Sequence, residues 1–193
     1  AEAVGLIKID VLGLKTVSVI KDCISQIKER TGIDVTDKSL ELDDPAVFKA
    51  ITEGNTVGVF QADAAAYRNL IERMGVDNFN DLVVSNALVR PGALLSQGKT
   101  YIDCKKGEKK PRYPHPLVED ILRETYGTVI FQEQLMQMAV LLADFTWAEA
   151  DKLRKIIGKK RDAAGFDEYR EKFVNNQYIT KEKAEKIWLD FEL

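Results

Sequence analysis

Apolar residues recur at helical spacing along most of this 193-residue chain, and glycine or proline marks several of the boundaries between them. The first series places five apolar residues on one stripe of a helix: Leu14, Val17, Ile20, Ile24 and Ile27. Gly32 follows where a C-terminal cap belongs, and Asp44-Pro45 marks the start of the next helix. The dominance of this spacing predicts an α-rich fold.

Further helices, and a few short strands, are predicted beyond this first series. The helices are expected at about 45–53, 64–73, 79–89, 117–124, 133–143, 147–157, 166–175 and 180–191. Thr146 is the predicted N-terminal cap of the helix at 147–157. The strands are expected at 6–12 and 57–60, with a brief β-prone stretch at 127–131. Residues 92–116 hold three of the five prolines and many lysines, which predicts a long exposed loop or hairpin. The predicted fold class is α+β, predominantly helical.

Several classes of protein are excluded by what the chain lacks. The longest apolar run, 138–143, is far too short to span a bilayer, and charged residues interrupt the apolar stretch 4–14, so it is not a signal peptide. Cys23 and Cys104 lie far apart, and the single histidine gives a zinc site almost nothing to build on. We therefore expect reduced thiols, a cytoplasmic protein and no contact with a membrane.

Lys8 and Asp10 point the same way on the predicted strand 6–12, on a face otherwise made of leucines. A carboxylate and an ammonium on an apolar face are costly unless they are paired or used. Asp10 could bind a magnesium ion while Lys8 neutralises a phosphate, or the two could form a structural ion pair at a strand edge. The residues alone leave these two interpretations equally weighted.

A basic segment in the second half of the chain is the next candidate site. Residues 97–161 carry a net charge of +4, whereas 1–96 carry −4, although ordinary solvated surface charge explains that asymmetry equally well. Within the segment, the run 153–161 has five basic residues, no acid and a glycine: Arg154, Lys155, Gly158, Lys159, Lys160 and Arg161. Favourable interaction of these cations with the helix dipole is the alternative to phosphate binding. Gly158, which exposes backbone among the cations, favours phosphate binding modestly.

Five segments together resemble the alpha subunit of bacterial replicative DNA polymerase III, the C family of DNA polymerases. They follow in the family's order: GLIKIDVLGL at 5–14, VFQ at 59–61, ALVRPG at 87–92, YGTVIFQEQLM at 126–136 and LRKIIGKK at 153–160. The resemblance implies that 1–14 is the C-terminal edge of the palm domain, with its last strand, and that 15–193 is the N-terminal part of an α-rich fingers domain. The chain would then be a piece of a longer polypeptide.

The same resemblance implies roles for individual residues in two-metal phosphoryl transfer. Asp10 would be a catalytic residue and a ligand of Mg²⁺, in a site that carboxylates outside this chain complete. The substrate-binding residues would be Lys8, Arg90, Arg154, Lys155, Lys159 and Lys160, and most of them would contact the phosphates of the incoming deoxynucleoside triphosphate. For Arg90, a contact with the template strand is the alternative to a contact with the nucleotide.

The implied partners are primer–template DNA, the incoming nucleotide, the rest of the palm and thumb, and a sliding clamp and other replisome subunits that bind regions outside this chain. The family's other two catalytic aspartates form an Asp-x-Asp pair, and no such pair occurs here, so we expect this chain alone to be inactive. Lys155 stands where the family usually has a second arginine, and Ala62-Asp63 replaces its usual glutamate and serine. A non-catalytic module that binds nucleic acid or a protein, and a separate subunit of a split polymerase, are the alternatives.

Overall fold

The computed structural model describes residues 4–6, 9, 11–36, 39–90, 97–158 and 165–191, and it divides into two compact units, Ala1–Asp44 and Pro45–Leu193. Every regular element in the described residues is helical, and none of them lies in a β-strand. The fold class is therefore all-helical over this part of the chain, where the sequence predicts α+β. None of the helices within these ranges is long and apolar enough to cross a membrane.

The first unit contains one long helix, α1 (Lys15–Thr31), as the sequence predicts. Gly32 ends it in the left-handed conformation (φ 74°), and its N–H donates to the carbonyl of Lys28. Of the predicted strand 6–12, the described residues 6, 9, 11 and 12 are not in a strand, and 7, 8 and 10 lie outside the described residues. A strand needs a neighbour to accept and donate its backbone hydrogen bonds, and no described residue of this unit provides one.

The second unit consists of nine α-helices in the described ranges, with 3₁₀ turns on either side of α6. They are α2 (Pro45–Thr52), α3 (Ala65–Met74), α4 (Phe79–Leu88), α5 (Lys99–Lys105), α6 (Glu119–Leu122), α7 (Gln132–Ala143), α8 (Trp147–Gly158), α9 (Phe166–Val174) and α10 (Lys181–Phe191). All the helices predicted in this unit are confirmed. Helix α5 was not predicted: it lies inside the expected loop 92–116 and buries Tyr101, Ile102 and Cys104.

Neither the strand predicted at 57–60 nor the β-prone stretch at 127–131 forms a strand in the structure. At 57–60 the N–H of Val59 donates to the carbonyl of Thr56 (3.0 Å), and the N–H of Ala62 donates to that of Val59 (3.0 Å), so the hydrogen bonds are local. At 127–131 the N–H groups of Ile130 and Phe131 donate to the side chain of Gln134 (2.9 and 3.0 Å). The strand prediction at 57–60 is wrong, and the β-prone stretch forms no strand, because nearby acceptors satisfy backbone donors that a strand would pair with a neighbouring strand.

Two hydrophobic clusters form the core of the second unit. The first, on α2–α5, centres on fully or nearly fully buried residues that include Leu70, Ile71, Met74, Leu88 and Tyr101. The second, on α6–α10, contains Leu142, Leu153, Phe173, Ile187 and Trp188. In it the Phe173 ring lies 5.6 Å from the Trp188 ring and 5.2 Å from the Phe191 ring, centroid to centroid. These contacts hold α9 and α10 together.

A buried ion pair ties α4 to α5. The ammonium of Lys105 donates to a carboxylate oxygen of Asp81 at 2.9 Å, and the two side chains are only 8% and 4% exposed. The same ammonium reaches Asp77 at 2.6 Å, and the hydroxyl of Tyr101 donates to Asp81 at 3.3 Å. Burial lowers the pKa of Lys105, but the hydrogen bonds from its ammonium to Asp77 and Asp81 outweigh that effect and raise its pKa above the ordinary value.

Replacing Lys105 with methionine should destabilise the second unit strongly, because Asp81 would stay buried without its cation. Breaking one side of a buried pair typically costs about 3–5 kcal/mol. Lys106→Met is the matched control, since Lys106 is the next residue and is exposed. Urea unfolding of the chain should show the large loss for Lys105→Met and almost none for Lys106→Met. Equal midpoints for the two variants would contradict a stabilising role for the pair.

Candidate functional site

The position of α8 is fixed at its N-terminus by a cap. Thr146 donates from its N–H (2.8 Å) and its hydroxyl (2.9 Å) to the carboxylate of Glu149, and the N–H of Glu149 donates back to the Thr146 hydroxyl (3.3 Å). Lys172 of α9 also donates to Glu149. The hydrogen bond from Lys172, followed by those from Thr146, lowers the pKa of Glu149 to about 2. The capping role of Thr146 that the sequence predicts is confirmed.

Helix α8 directs its cations away from the core because its apolar residues recur on the opposite face. Ala150 and Leu153 are fully buried, and Ile156 is 9% exposed. Arg154 and Lys155 therefore lie toward the solvent side, where Lys155 is exposed and Arg154 is partly buried. Arg154 keeps 29% of its side chain exposed, so part of this side chain is accessible from solution.

Asp151, one helical turn earlier, holds both cations at once. Arg154 donates from Nε (3.0 Å) and from one terminal nitrogen (2.8 Å) to the same carboxylate oxygen of Asp151, and Lys155 donates to the other oxygen (2.7 Å). The hydrogen bonds from Lys155 and then from Arg154 lower the pKa of Asp151. Asp151 thus provides one carboxylate between two cations, and this cluster keeps an excess of positive charge.

Gln132, the first residue of α7, provides a second contact to the same guanidinium. Its side-chain oxygen accepts from the other terminal nitrogen of Arg154 at 3.0 Å. Two residues later, Gln134 is buried and anchors this end of α7: its amide donates to the Thr125 hydroxyl (2.8 Å) and to the carbonyl of Ile121 (3.2 Å). The guanidinium is therefore fixed from two helices, α7 and α8.

Among the predicted site residues, the structure brings Arg154 and Lys155 together around Asp151. Arg90 is exposed, two residues after the end of α4, and makes no ion pair with another described residue. Lys8, Asp10, Lys159 and Lys160 lie outside the described residues. No group of three or more histidine, cysteine, aspartate or glutamate residues within the described ranges could hold a metal ion.

Two contributors to this arrangement were missed in the sequence. Asp151 lies three and four residues before Arg154 and Lys155, which is the spacing at which side chains meet on a helix, so the signal was present. Gln132 belongs to the polar Gln132-Glu133-Gln134 start of α7, but its contact with Arg154 crosses 22 positions in the chain. No local pattern indicates a contact of that separation.

The turn before α7 is closed by a backbone contact at Gly127. This glycine has φ 85°, and a Cβ atom added there would lie 2.3 Å from the carbonyl oxygen of Arg112. The N–H of Gly127 donates to the carbonyl of Leu122 at 2.9 Å. A residue with a side chain therefore cannot occupy this position without moving the backbone at Arg112.

Comparison with known proteins shows which family the chain matches. Residues 16–180 match the bacterial DNA polymerase III alpha subunit finger domain. The chain is similar to the DNA polymerase III subunit alpha of Aquifex aeolicus (strain VF5), with 43% identity over 195 residues that cover 99% of this chain and 17% of that protein. It is also similar to the same subunit of Staphylococcus aureus (strain COL), with 39% identity over 163 residues, 84% of this chain and 15% of that protein. The chain thus spans less than a fifth of the length of either relative.

Replacing Gly127 with alanine should destabilise the segment that leads into α7. A left-handed backbone costs a residue with a side chain about 1–2 kcal/mol, and the close contact with Arg112 adds about 1–3 kcal/mol. Gly107→Ala is the matched control, because Gly107 has a similar φ of 74° but open space around it. Urea denaturation should show a clearly larger loss for Gly127→Ala. Identical losses in the two variants would show that the contact with Arg112 does not matter.

Proposed function

Because this chain belongs to the family of the bacterial DNA polymerase III alpha subunit finger domain, we propose that it works as part of a DNA-directed DNA polymerase that extends a primer with deoxynucleoside triphosphates. We assign residues 1–14 to the edge of the palm and 15–193 to the first part of the fingers. The substrates and partners are those of the whole polymerase: primer–template DNA, the incoming nucleotide, and the remaining palm and thumb.

The arrangement around Arg154 is the observation that supports this proposal best. A guanidinium carries five N–H donors in a fixed plane. Three of them are used by Asp151 and Gln132, at distances of 2.8 to 3.0 Å. The two remaining donors, one on each terminal nitrogen, can bind phosphate oxygens without rearrangement of the side chain. Such a pre-positioned pair of donors suits bidentate recognition of a phosphate.

The other substrate-binding roles follow from position. Lys155 adds a second cation beside Arg154, and Lys159 and Lys160 continue the same basic run. Lys8 would contact nucleotide phosphates from the palm side. Arg90 lies at an exposed turn and would reach either the nucleotide or the template. Each added cation contributes charge neutralisation, which phosphoryl transfer requires more than covalent chemistry.

Asp10 would provide the one catalytic carboxylate of this chain. Mg²⁺, when bound, would activate the attacking 3′-hydroxyl and stabilise the leaving pyrophosphate. One carboxylate cannot hold two metal ions, and no Asp-x-Asp pair occurs in this sequence. The chain therefore contributes to the metal site only within the longer polymerase, and on its own it would be inactive.

Replacing Arg154 with alanine should weaken the use of nucleotides by the full-length polymerase. One hydrogen-bonded charge contact to phosphate is worth roughly 1.5–3 kcal/mol, so kcat/KM for the nucleotide should fall about 10- to 150-fold. Lys152→Ala is the matched control, because Lys152 is exposed on the same helix and has no ion-pair partner among the described residues. Steady-state extension assays with varied nucleotide would test this. If the dependence of the extension rate on nucleotide concentration is the same in both variants, Arg154 does not bind the nucleotide.

Replacing Asp10 with asparagine should abolish primer extension by the full-length polymerase while leaving the protein folded. Loss of a residue that only supports a metal ligand costs about 10- to 100-fold, so the loss of a direct ligand should exceed about 100-fold. Asp22→Asn, at an exposed position of α1, serves as the control. Undiminished extension by the Asp10→Asn enzyme would refute the catalytic role and favour a non-catalytic binding module.

A further inference from the structure

A cavity of about 600 Å³ lies between α5 and the turn that precedes α7, and the site around Arg154 does not account for it. Six of its lining residues matter for what it can bind: Thr100, Lys109, Lys110, Arg112, Tyr126 and Gly127. Three of these six are cations, one offers a hydroxyl and one offers an aromatic ring. The cavity is open enough to admit a group from solution, and its lining is suited to an anion.

The cations of this cavity outnumber the carboxylates available to neutralise them. Residues 99–112 contain six lysines and arginines and only two acids. Lys109 is paired with Asp103 at 2.6 Å. Lys110 and Arg112 are exposed and have no ion-pair partner within the described part of the chain. Two cations at the cavity are therefore not engaged in ion pairs with described residues, and they attract a negatively charged ligand.

The backbone that carries these cations is fixed at both ends. On one side the N–H groups of Glu108 and Lys109 donate to the carbonyl of Asp103 at 2.8 and 3.1 Å, closing the turn after α5. On the other side the backbone of Arg112 packs directly against Gly127, where even a Cβ atom would not fit. Because the chain between these points is short, Lys110 and Arg112 are held over the cavity and lose little backbone entropy on binding.

Tyr126 is an aromatic residue that lines the cavity, and its backbone has an unusual conformation. Its backbone is left-handed (φ 53°), which is costly for a residue with a side chain and is often maintained at functional positions. Its ring packs edge-on against the buried ring of Tyr101, with centroids 5.2 Å apart. Proteins that bind single-stranded nucleic acids combine cations with aromatic rings: the cations contact the phosphates, and the bases stack on the rings.

We propose that this cavity binds a backbone phosphate of a nucleic acid strand, as a contact separate from the triphosphate contacts of Arg154. The inference rests on the proposed function, because it assumes that the polymerase of which this chain is part holds a primer–template. A free nucleotide carries the same phosphate chemistry. The cavity is built from α5 and the turns at 107–112 and 126–127, whereas Arg154 is held by α7 and α8. Because the two sites share none of these elements, we assign them different ligands: the nucleotide to Arg154 and the strand to the cavity.

The test is the salt dependence of primer–template binding by the full-length polymerase, with Lys110→Gln/Arg112→Gln compared with wild type. Each lost phosphate contact lowers the slope of log K against log salt by about 0.7–0.9, so the double variant, which loses the contact with one phosphate, should lose about that amount. At low salt its Kd should rise about tenfold or more. Lys181→Gln/Lys183→Gln, on exposed positions of α10, changes the net charge equally and should leave the slope unaltered.

Two readouts distinguish binding of a strand from binding of a nucleotide at the cavity. They also distinguish failure of this inference from failure of the proposed function. The KM for nucleotide at saturating primer–template should stay unchanged in the double variant, whereas Arg154→Ala alters it. An unchanged slope and Kd, or a raised nucleotide KM with unchanged Kd, would overturn the inference while leaving the role of Arg154 intact. If the double variant does not fold, as judged by its thermal unfolding, Lys110→Gln alone should lower the slope by a fraction of that amount, whereas Lys181→Gln alone should leave it unaltered.

Discussion

The packing of α8 against α7 determines where the cationic side chains of α8 can lie. Leu153 and Ala150 of α8, and Ala139 and Leu142 of α7, are completely buried in the same cluster. Their burial fixes the rotation of α8 about its axis, and with it the direction of Arg154. Burying a leucine side chain contributes about 1.5–3 kcal/mol, more than an exposed ion pair does. The core therefore orients the site, and the ion pairs around Asp151 adjust the side chains within it.

Two clusters of opposite charges in this protein have different physical roles. The pair of Lys105 and Asp81 is buried, so the loss of either partner would leave an uncompensated charge in the core. The cluster around Asp151 is partly exposed, and its members contribute little to stability because water screens them. An exposed carboxylate can hold a guanidinium in place and still leave its outer donors accessible. Asp151 meets that requirement, whereas Asp81 does not.

Local patterns in the sequence predicted most of the helices but not all of the contacts that form the site. Apolar spacing and end signals such as Gly32 and Thr146 located the helices, because these depend on residues within one or two turns. Helix α5 was missed because prolines and lysines surround its buried residues. The strand predicted at 57–60 was wrong because β-prone residues there meet acceptors in the preceding turn. The contact of Gln132 with Arg154 depends on how two helices pack, which no local pattern encodes.

The segment from Tyr126 to Gln134 links the two candidate sites physically. Its first two residues line the cationic cavity beside α5, and Gln132 near its end holds the guanidinium of Arg154. Gln134, the last residue of the segment, binds the backbone N–H groups of Ile130 and Phe131 and the hydroxyl of Thr125, so the segment is anchored along its length. A buried, fully bonded amide of this kind keeps one conformation because every alternative leaves polar groups unpaired. If the cavity holds a strand and Arg154 holds a triphosphate, this segment sets the distance between them without requiring either ligand to order it.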